Sequence, residues 1–182
     1  MSLIPYYSGV CSTPTPPYVC NPCPTTEKGR VRSVALVKPT YTFLDPTDPA
    51  EWLTAINAGH IVMIPSVRGK YDGGAEKKGE GYGGELERLM NYSYALDWKD
   101  LNFYGVKSFY DTIDKNPVWN LCFFTGLIGW LVTAACTITT KDAVTEDIES
   151  DVVWEAKAVW QSLYKPTKFL APAGIQNCFA VV

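Results

Sequence analysis

Between Lys115 and Lys141 the chain runs for 25 residues, Asn116 to Thr140, without one charged side chain. No other feature limits the fold as tightly. An uncharged stretch of this length can cross a bilayer as a single helix. It can equally supply two strands of ordinary length joined by a turn. Its residues favour the second arrangement: β-branched and aromatic side chains dominate, Asn120 and several Thr interrupt the apolar surface, and Gly126 and Gly129 sit midway, where a turn would divide the run. Lys115 and Lys141 flank it evenly, so no charge asymmetry orients a span. The expectation is a β-hairpin in a core, and its rival is a small membrane-anchored protein that spans the bilayer with residues 118–138.

Composition agrees with a packed domain. With 47% apolar and 13% aromatic residues against 19% charged, the chain can bury a core and is too lightly charged to remain a solvated coil. At 182 residues one domain with a tail is expected. A net charge of -3 lacks the electrostatic footprint of a nucleic-acid binder, and the densest basic stretch, Lys28, Arg30 and Arg32, is small. The N-terminus has neither a basic start nor the apolar run of a secretory leader, which points to synthesis in a cytoplasm.

Residues 1–29 carry Pro5, Pro14, Pro16, Pro17, Pro22 and Pro24 among Ser, Thr and Cys, a composition that sustains neither helix nor central strand. They read as an extended arm whose ordering depends on docking, either to its own domain or to a neighbour. The domain then occupies residues 30–182. Val31, Val34, Leu36, Val37, Tyr41 and Phe43 give strand character. Asp48 as cap, Pro49 in the first turn, Glu51 three residues after the cap and Gly59 at the end predict a short helix with Trp52, Leu53 and Ile56 on its apolar face. His60 to Val67 reads as a bent or edge strand because of Pro65. Residues 69–84 hold seven glycines among charges and read as a long loop. Tyr92, Tyr94, Leu96 and Trp98 recur at a period of two, and Phe103, Val106, Phe109, Tyr110 and Ile113 at helical spacing, with Asn102 as a candidate cap. Residues 141–151 form an acidic connector. Residues 152–163 fit a strand, with Trp154, Ala156, Ala158 and Trp160 on one side, although a helix fits the same residues. The fold class is therefore mainly β, a sandwich or barrel, with one or two short helices.

Chemistry-bearing residues form no catalytic set. Cys20 and Cys23 make a C-x-x-C, but in a Pro-rich arm without the second half of a zinc pair or the strand and helix of a redox site. Free thiols are expected there and at Cys11, with a bridge or metal involving Cys11 or Cys178 as the alternative. Cys122 and Cys136 read as buried small hydrophobes. His60, the single histidine, follows a helix-ending glycine, and a local turn or cap role is expected. The carboxylates Glu146, Asp147, Glu149 and Asp151 read as a solvated face. No enzyme activity, cofactor or metal is expected.

Two segments resemble virion proteins of tailed bacteriophages: Trp52 to Gly74, where a short helix with Ala-Gly leads into Ile-Pro-Ser-Val-Arg-Gly-Lys-Tyr-Asp-Gly-Gly, and Thr140 to Trp160, where a Lys-Asp turn and an acidic loop lead to a strand ending in Val-Trp. They are most similar to the β-barrel proteins of tail tubes and neck rings, including those of crAss-like phages, and together cover about a third of the chain. The resemblance implies a barrel or sandwich flanked by a helix, with a long hairpin or loop reaching the adjacent subunit, and it gives that role to residues 69–84. The Cys- and Pro-rich arm and the uncharged run depart from the pattern, so a head-associated component also fits. The expected partners are copies of the chain and other virion proteins, with no small-molecule substrate, no sequence-specific nucleic-acid binding and no membrane. The expected contact residues are Tyr6, Tyr7 and Tyr18 of the arm and Tyr71 and Tyr82 of the loop, and the expected location is the virion.

Overall fold

Every side chain of the first strand is buried, on both faces. In the computed structural model, which describes residues 29–79, 88–100, 107–143, 152–172 and 174, β1 (Ser33–Val37) lies between two neighbours and beneath two apolar layers. Val34 and Leu36 point into the main core, whereas Ala35 and Val37 point into a smaller one with Trp52, Ala55, Ile61, Cys122 and Phe124. A strand covered on both sides needs a continuous apolar run rather than an alternating one, and Ser-Val-Ala-Leu-Val provides it.

The helix α1 (Pro49–Asn57) covers the outer layer and is built as the capping signals predict. Asp48 Oδ1 accepts from the Ala50 amide at 2.9 Å, and Gly59 beyond the last turn has φ 69°. Glu51 does not close a capping box back onto Asp48. Its carboxylate accepts from the Leu44 and Asp45 amides at 2.8 and 2.7 Å and from the Tyr41 hydroxyl at 3.0 Å, pinning the preceding loop to the helix. Trp52 and Ala55 face inward, while Leu53 is exposed, correcting its place on the predicted apolar face. Beyond α1, β2 (Ile61–Ile64) turns into β3 (Arg68–Gly79) through Pro65 and Ser66, and Ser66 adopts φ 58°.

After β3 come β4 (Arg88–Asp100), β5 (Val118–Phe124), β6 (Ile128–Ala143), β7 (Val153–Ser162) and β8 (Thr167–Leu170). These eight strands among the described residues make one antiparallel sheet in the order β2, β1, β5, β6, β7, β4, β3, with β8 added beside the start of β6. The sheet closes on itself. Val31 and Gly69 exchange two backbone hydrogen bonds at 3.1 and 3.0 Å, and the Val67 amide donates to the Arg32 carbonyl at 2.8 Å, so the start of β3 returns to the chain just ahead of β1. Gly69 permits this seam: a Cβ there would stand 2.9 Å from Val31 Cβ and 3.1 Å from the Asp97 carbonyl. The result is a closed barrel, which removes exposed edges as far as the closure extends.

The uncharged run forms β5, a turn at Thr125 to Leu127, and all but the last three residues of β6. Leu121 and Phe123 enter the barrel with Val132, Cys136 and Ile138, while Cys122 and Phe124 enter the layer beneath α1. Residues 118–138 pair as an antiparallel hairpin rather than forming the single helix of the alternative reading, and no helix among the described residues is long and apolar enough to cross a membrane. The second helix, α2 (Lys107–Lys115), adds Tyr110 and Ile113 to the barrel core. The Tyr110 ring stacks on Trp154 at 5.2 Å, and its hydroxyl donates to Asp100 Oδ2 at 2.9 Å.

Residues 152–163 are a strand for most of their length. In β7 Trp154, Ala156, Ala158 and Trp160 are buried, and Lys157, Val159 and Gln161 are exposed. The predicted loop at 69–84 is corrected: its first eleven residues, 69–79, belong to β3 and pair with β4. Glycine reads as a loop former because it lacks a side chain to pack, and here that lack is what the pairing needs. Gly73 and Gly74 lie in a register shift, Gly74 has φ 101°, and the Tyr94 ring occupies the space its Cβ would fill, 2.5 Å away. An aromatic ring laid across a glycine restores the packing the glycine gave up.

Candidate functional site

The wall made by β6, β7, β4 and β3 has two faces of opposite character. Inside, Tyr71, Tyr94 and Trp160 form a stack with ring separations of 5.5 to 6.4 Å, and Tyr71 also meets Phe123 and Trp130 at 4.9 and 5.6 Å. Burial raises the Tyr71 hydroxyl to about 12 and pushes the Tyr94 and Tyr110 hydroxyls up as well. Tyr71 is therefore half-buried against the barrel core on a strand rather than presented from a loop. Alternation along β3 turns it inward, as it turns Lys70 and Asp72 outward.

Outside, strand register aligns charges in two rows across the wall. One row runs Lys141, Glu155, Lys99, Arg68, and the next Thr139, Lys157, Asp97, Lys70. Between the rows and Arg30 lies an open groove of about 720 Å³. Its lining carries six cations, Arg30, Arg68, Lys70, Lys99, Lys141 and Lys157, against two carboxylates, Asp97 and Glu155. The two sides differ. On the β6 and β7 side, Glu155 bridges Lys99 at 2.7 Å and Lys141 at 2.8 Å, and hydrogen bonds from those ammonium groups lower its carboxyl to about 2. Lys157 stands 3.9 Å from Asp97. On the other side, Arg30, Arg68 and Lys70 take part in no ion pair within 4.0 Å among the described residues. Arg68 stands directly opposite another cation, Lys99, and the Val31 to Gly69 bridge sets Arg30 beside Lys70.

The opposite end of the same wall projects. β7 stops at Ser162, opposite Tyr92, but β3 and β4 stay paired through Lys77 with Asn91, Lys78 with Leu89 and Gly79 with Arg88. Four residues of β4 thus reach beyond their β7 neighbour, about 13 Å at ~3.3 Å per residue. Past Gly69, no strand among the described residues pairs with the outer edge of β3. Leu127, Leu163, Tyr164 and Leu170 are exposed near this end of the sheet.

The remaining candidates fall elsewhere. His60 stacks on Tyr41 at 5.4 Å, its amide donates to the Ala55 carbonyl and its carbonyl accepts from the Lys38 amide, so it closes the turn after α1. Cys122 and Cys136 are buried free thiols, both pushed up by burial, Cys136 to about 12. Tyr6, Tyr7, Tyr18 and Tyr82, the cysteines Cys11, Cys20, Cys23 and Cys178, and the acidic run Glu146 to Asp151 lie outside the described residues. The groove itself was missed in the sequence because its cations come from separate segments. Alternation in β7 marks Glu155 and Lys157 as outward, but nothing local says that Arg68, Lys99 and Lys141 stand beside them.

No protein-family model matches the chain, and no curated protein matches it.

Proposed function

We propose that this protein is a structural subunit of a virus particle of the tailed-bacteriophage type, assembling with copies of itself into a ring or tube and located in the virion. The observation that carries the reading is the β3 and β4 hairpin, which continues past the barrel with no strand among the described residues beside the outer side of β3. An open edge of this kind is a template for pairing with another chain, and proteins that remain monomeric block or cover it. Here Glu76, Lys77 and Lys78 discourage indiscriminate pairing and restrict the edge to a partner of complementary charge. Such an edge suits contact with a neighbour through strand addition. A closed barrel flanked by a helix and bearing a long hairpin is also the architecture that the phage resemblance implies. The exposed Leu127, Leu163, Tyr164 and Leu170 near the hairpin end supply apolar surface for the same contact.

The test is a hairpin-shortened chain in which Asn-Gly joins Glu76 to Tyr92, a cross-strand pair that a two-residue turn can close. The expected product keeps its far-ultraviolet circular dichroism and its cooperative melt yet sediments as a monomer, while the full chain forms a discrete oligomer. Unchanged oligomerisation of the shortened chain contradicts the assignment of the contact to the hairpin.

A further inference from the structure

We infer that the bare side of the outer groove, Arg30, Arg68 and Lys70, receives carboxylates from a second copy of this chain. The inference deepens the self-assembly reading and rests on it. It begins from an electrostatic anomaly. Like charges placed directly opposite one another on a sheet are unfavourable, yet Arg68 faces Lys99 and Arg30 lies beside Lys70 with no ion pair to relieve them among the described residues. Lys99 is already engaged by Glu155, and Lys70 faces Asp97, which Lys157 approaches at 3.9 Å, so Arg30 and Arg68 have no carboxylate opposite them and Lys70 has only a shared one at the seam of the barrel. Solvent can offset this, and so can an anion held in the groove.

The surroundings select the occupant. The groove concentrates an excess of positive charge on a chain whose net charge is -3, so the rest of each copy is acidic and complements it. A phosphate chain fits less well. The one aromatic residue in the lining, Trp98, is buried and offers no face for stacking a base. Arginine and lysine left bare beside a neutralised floor suit one or two carboxylates, with Arg68 able to grip one in a forked pair. The groove also lies toward the end of the wall opposite the projecting hairpin. A copy that offers a hairpin at one end and a basic socket at the other is polar along its length, which is the requirement for head-to-tail rather than face-to-face assembly.

Sedimentation velocity of the full chain, with three variants and two salt concentrations, tests this. All the substituted residues are exposed, and circular dichroism checks that each variant folds. At low ionic strength, Arg68→Glu with Lys70→Glu is expected to weaken self-association about tenfold or more, and raising salt to about 0.5 M to weaken that of the unmodified chain. Lys99→Ala, on the side already paired, is expected to shift it less than about twofold. Arg68→Lys with Lys70→Arg, which keeps the charge, is expected to retain association. An unmodified chain that is monomeric throughout overturns the self-assembly reading and this inference with it. Association that persists with the Glu variant overturns the inference alone. So does a Glu variant that associates normally but loses binding of a short poly-dT oligonucleotide seen with the unmodified chain, because the groove would then serve phosphates.

Discussion

The inner and outer faces of one four-stranded wall are built from alternate residues of the same strands, and they contribute different things. Inside, Tyr71, Tyr94, Trp160, Trp98 and Trp154 exclude water and stack on one another. Outside, Lys141, Glu155, Lys99, Arg68, Lys157, Asp97 and Lys70 remain accessible to solvent, with Glu155 closely paired to Lys99 and Lys141, and Arg68 and Lys70 in no ion pair among the described residues. Burial of large rings is worth several kcal/mol each, whereas exposed ion pairs are worth about 0 to 1. The fold is therefore held from within, and the outer face is free to be arranged for recognition without loss of stability.

Truncating an inner ring gives the largest test of that contrast. Trp160→Ala is expected to cost about 3–5 kcal/mol in urea unfolding, because it removes a ring that packs on both Tyr71 and Tyr94. A loss under about 1 kcal/mol would mean that the aromatic stack is not what holds the barrel. Gly69→Ala comes next. The added methyl must push apart Val31 and the β4 backbone, at a cost of about 1–3 kcal/mol, and amide exchange at Val31 and Gly69 should accelerate before the rest of the sheet. Uniform exchange across the sheet would place the weakness elsewhere.

How much of this was legible in the sequence depends on whether a feature was local. The α1 cap at Asp48, the turn that splits the uncharged run, and the alternation of Trp154, Ala156, Ala158 and Trp160 each lie within a few residues of chain, and each was readable. β3 was not, because seven glycines between residues 69 and 84 speak for a loop until Val31 and Tyr94 are seen filling the space above Gly69 and Gly74. The same glycines give no sign that Tyr71 turns toward the barrel core. Barrel closure and the groove depend on which strands become neighbours, and that information is distributed over more than a hundred residues, from Arg30 to Lys157. Net charge concealed the groove as well, since a cluster of cations is invisible in a sum of -3.

Titration sharpens the contrast further. The folded-state value of Tyr71 is raised above its ordinary 10.0 to about 12, and those of Tyr94 and Tyr110 are also raised. The stability that these neutral hydroxyls confer is complete below pH 10 and lost as pH rises through the folded values. Absorbance at 295 nm should therefore show a group of tyrosines that ionise late and together with unfolding. Ionisation of all tyrosines near pH 10 in the folded protein would place these rings in water.

On the outer face the effect should be smallest and of opposite sign in pH. Glu155 is lowered from 4.5 to about 2, so its contribution is present above pH 4.5 and disappears as pH falls toward 2. Because the group and its lysines are solvent-accessible, Glu155→Gln should cost under about 1 kcal/mol at neutral pH, and less in high salt. A loss comparable to that of Trp160→Ala would show that the ladder holds the wall and erase the distinction between its two faces.

That the hairpin and groove are left open for neighbours is tested most directly by the native mass of the purified full chain, measured across the micromolar range with particle symmetry read by electron microscopy. A single oligomer of fixed copy number, with rotational symmetry and the β3 and β4 hairpin at the contact between subunits, is the predicted result. A monomer at every concentration, or an oligomer whose hairpins point into solvent, would contradict it.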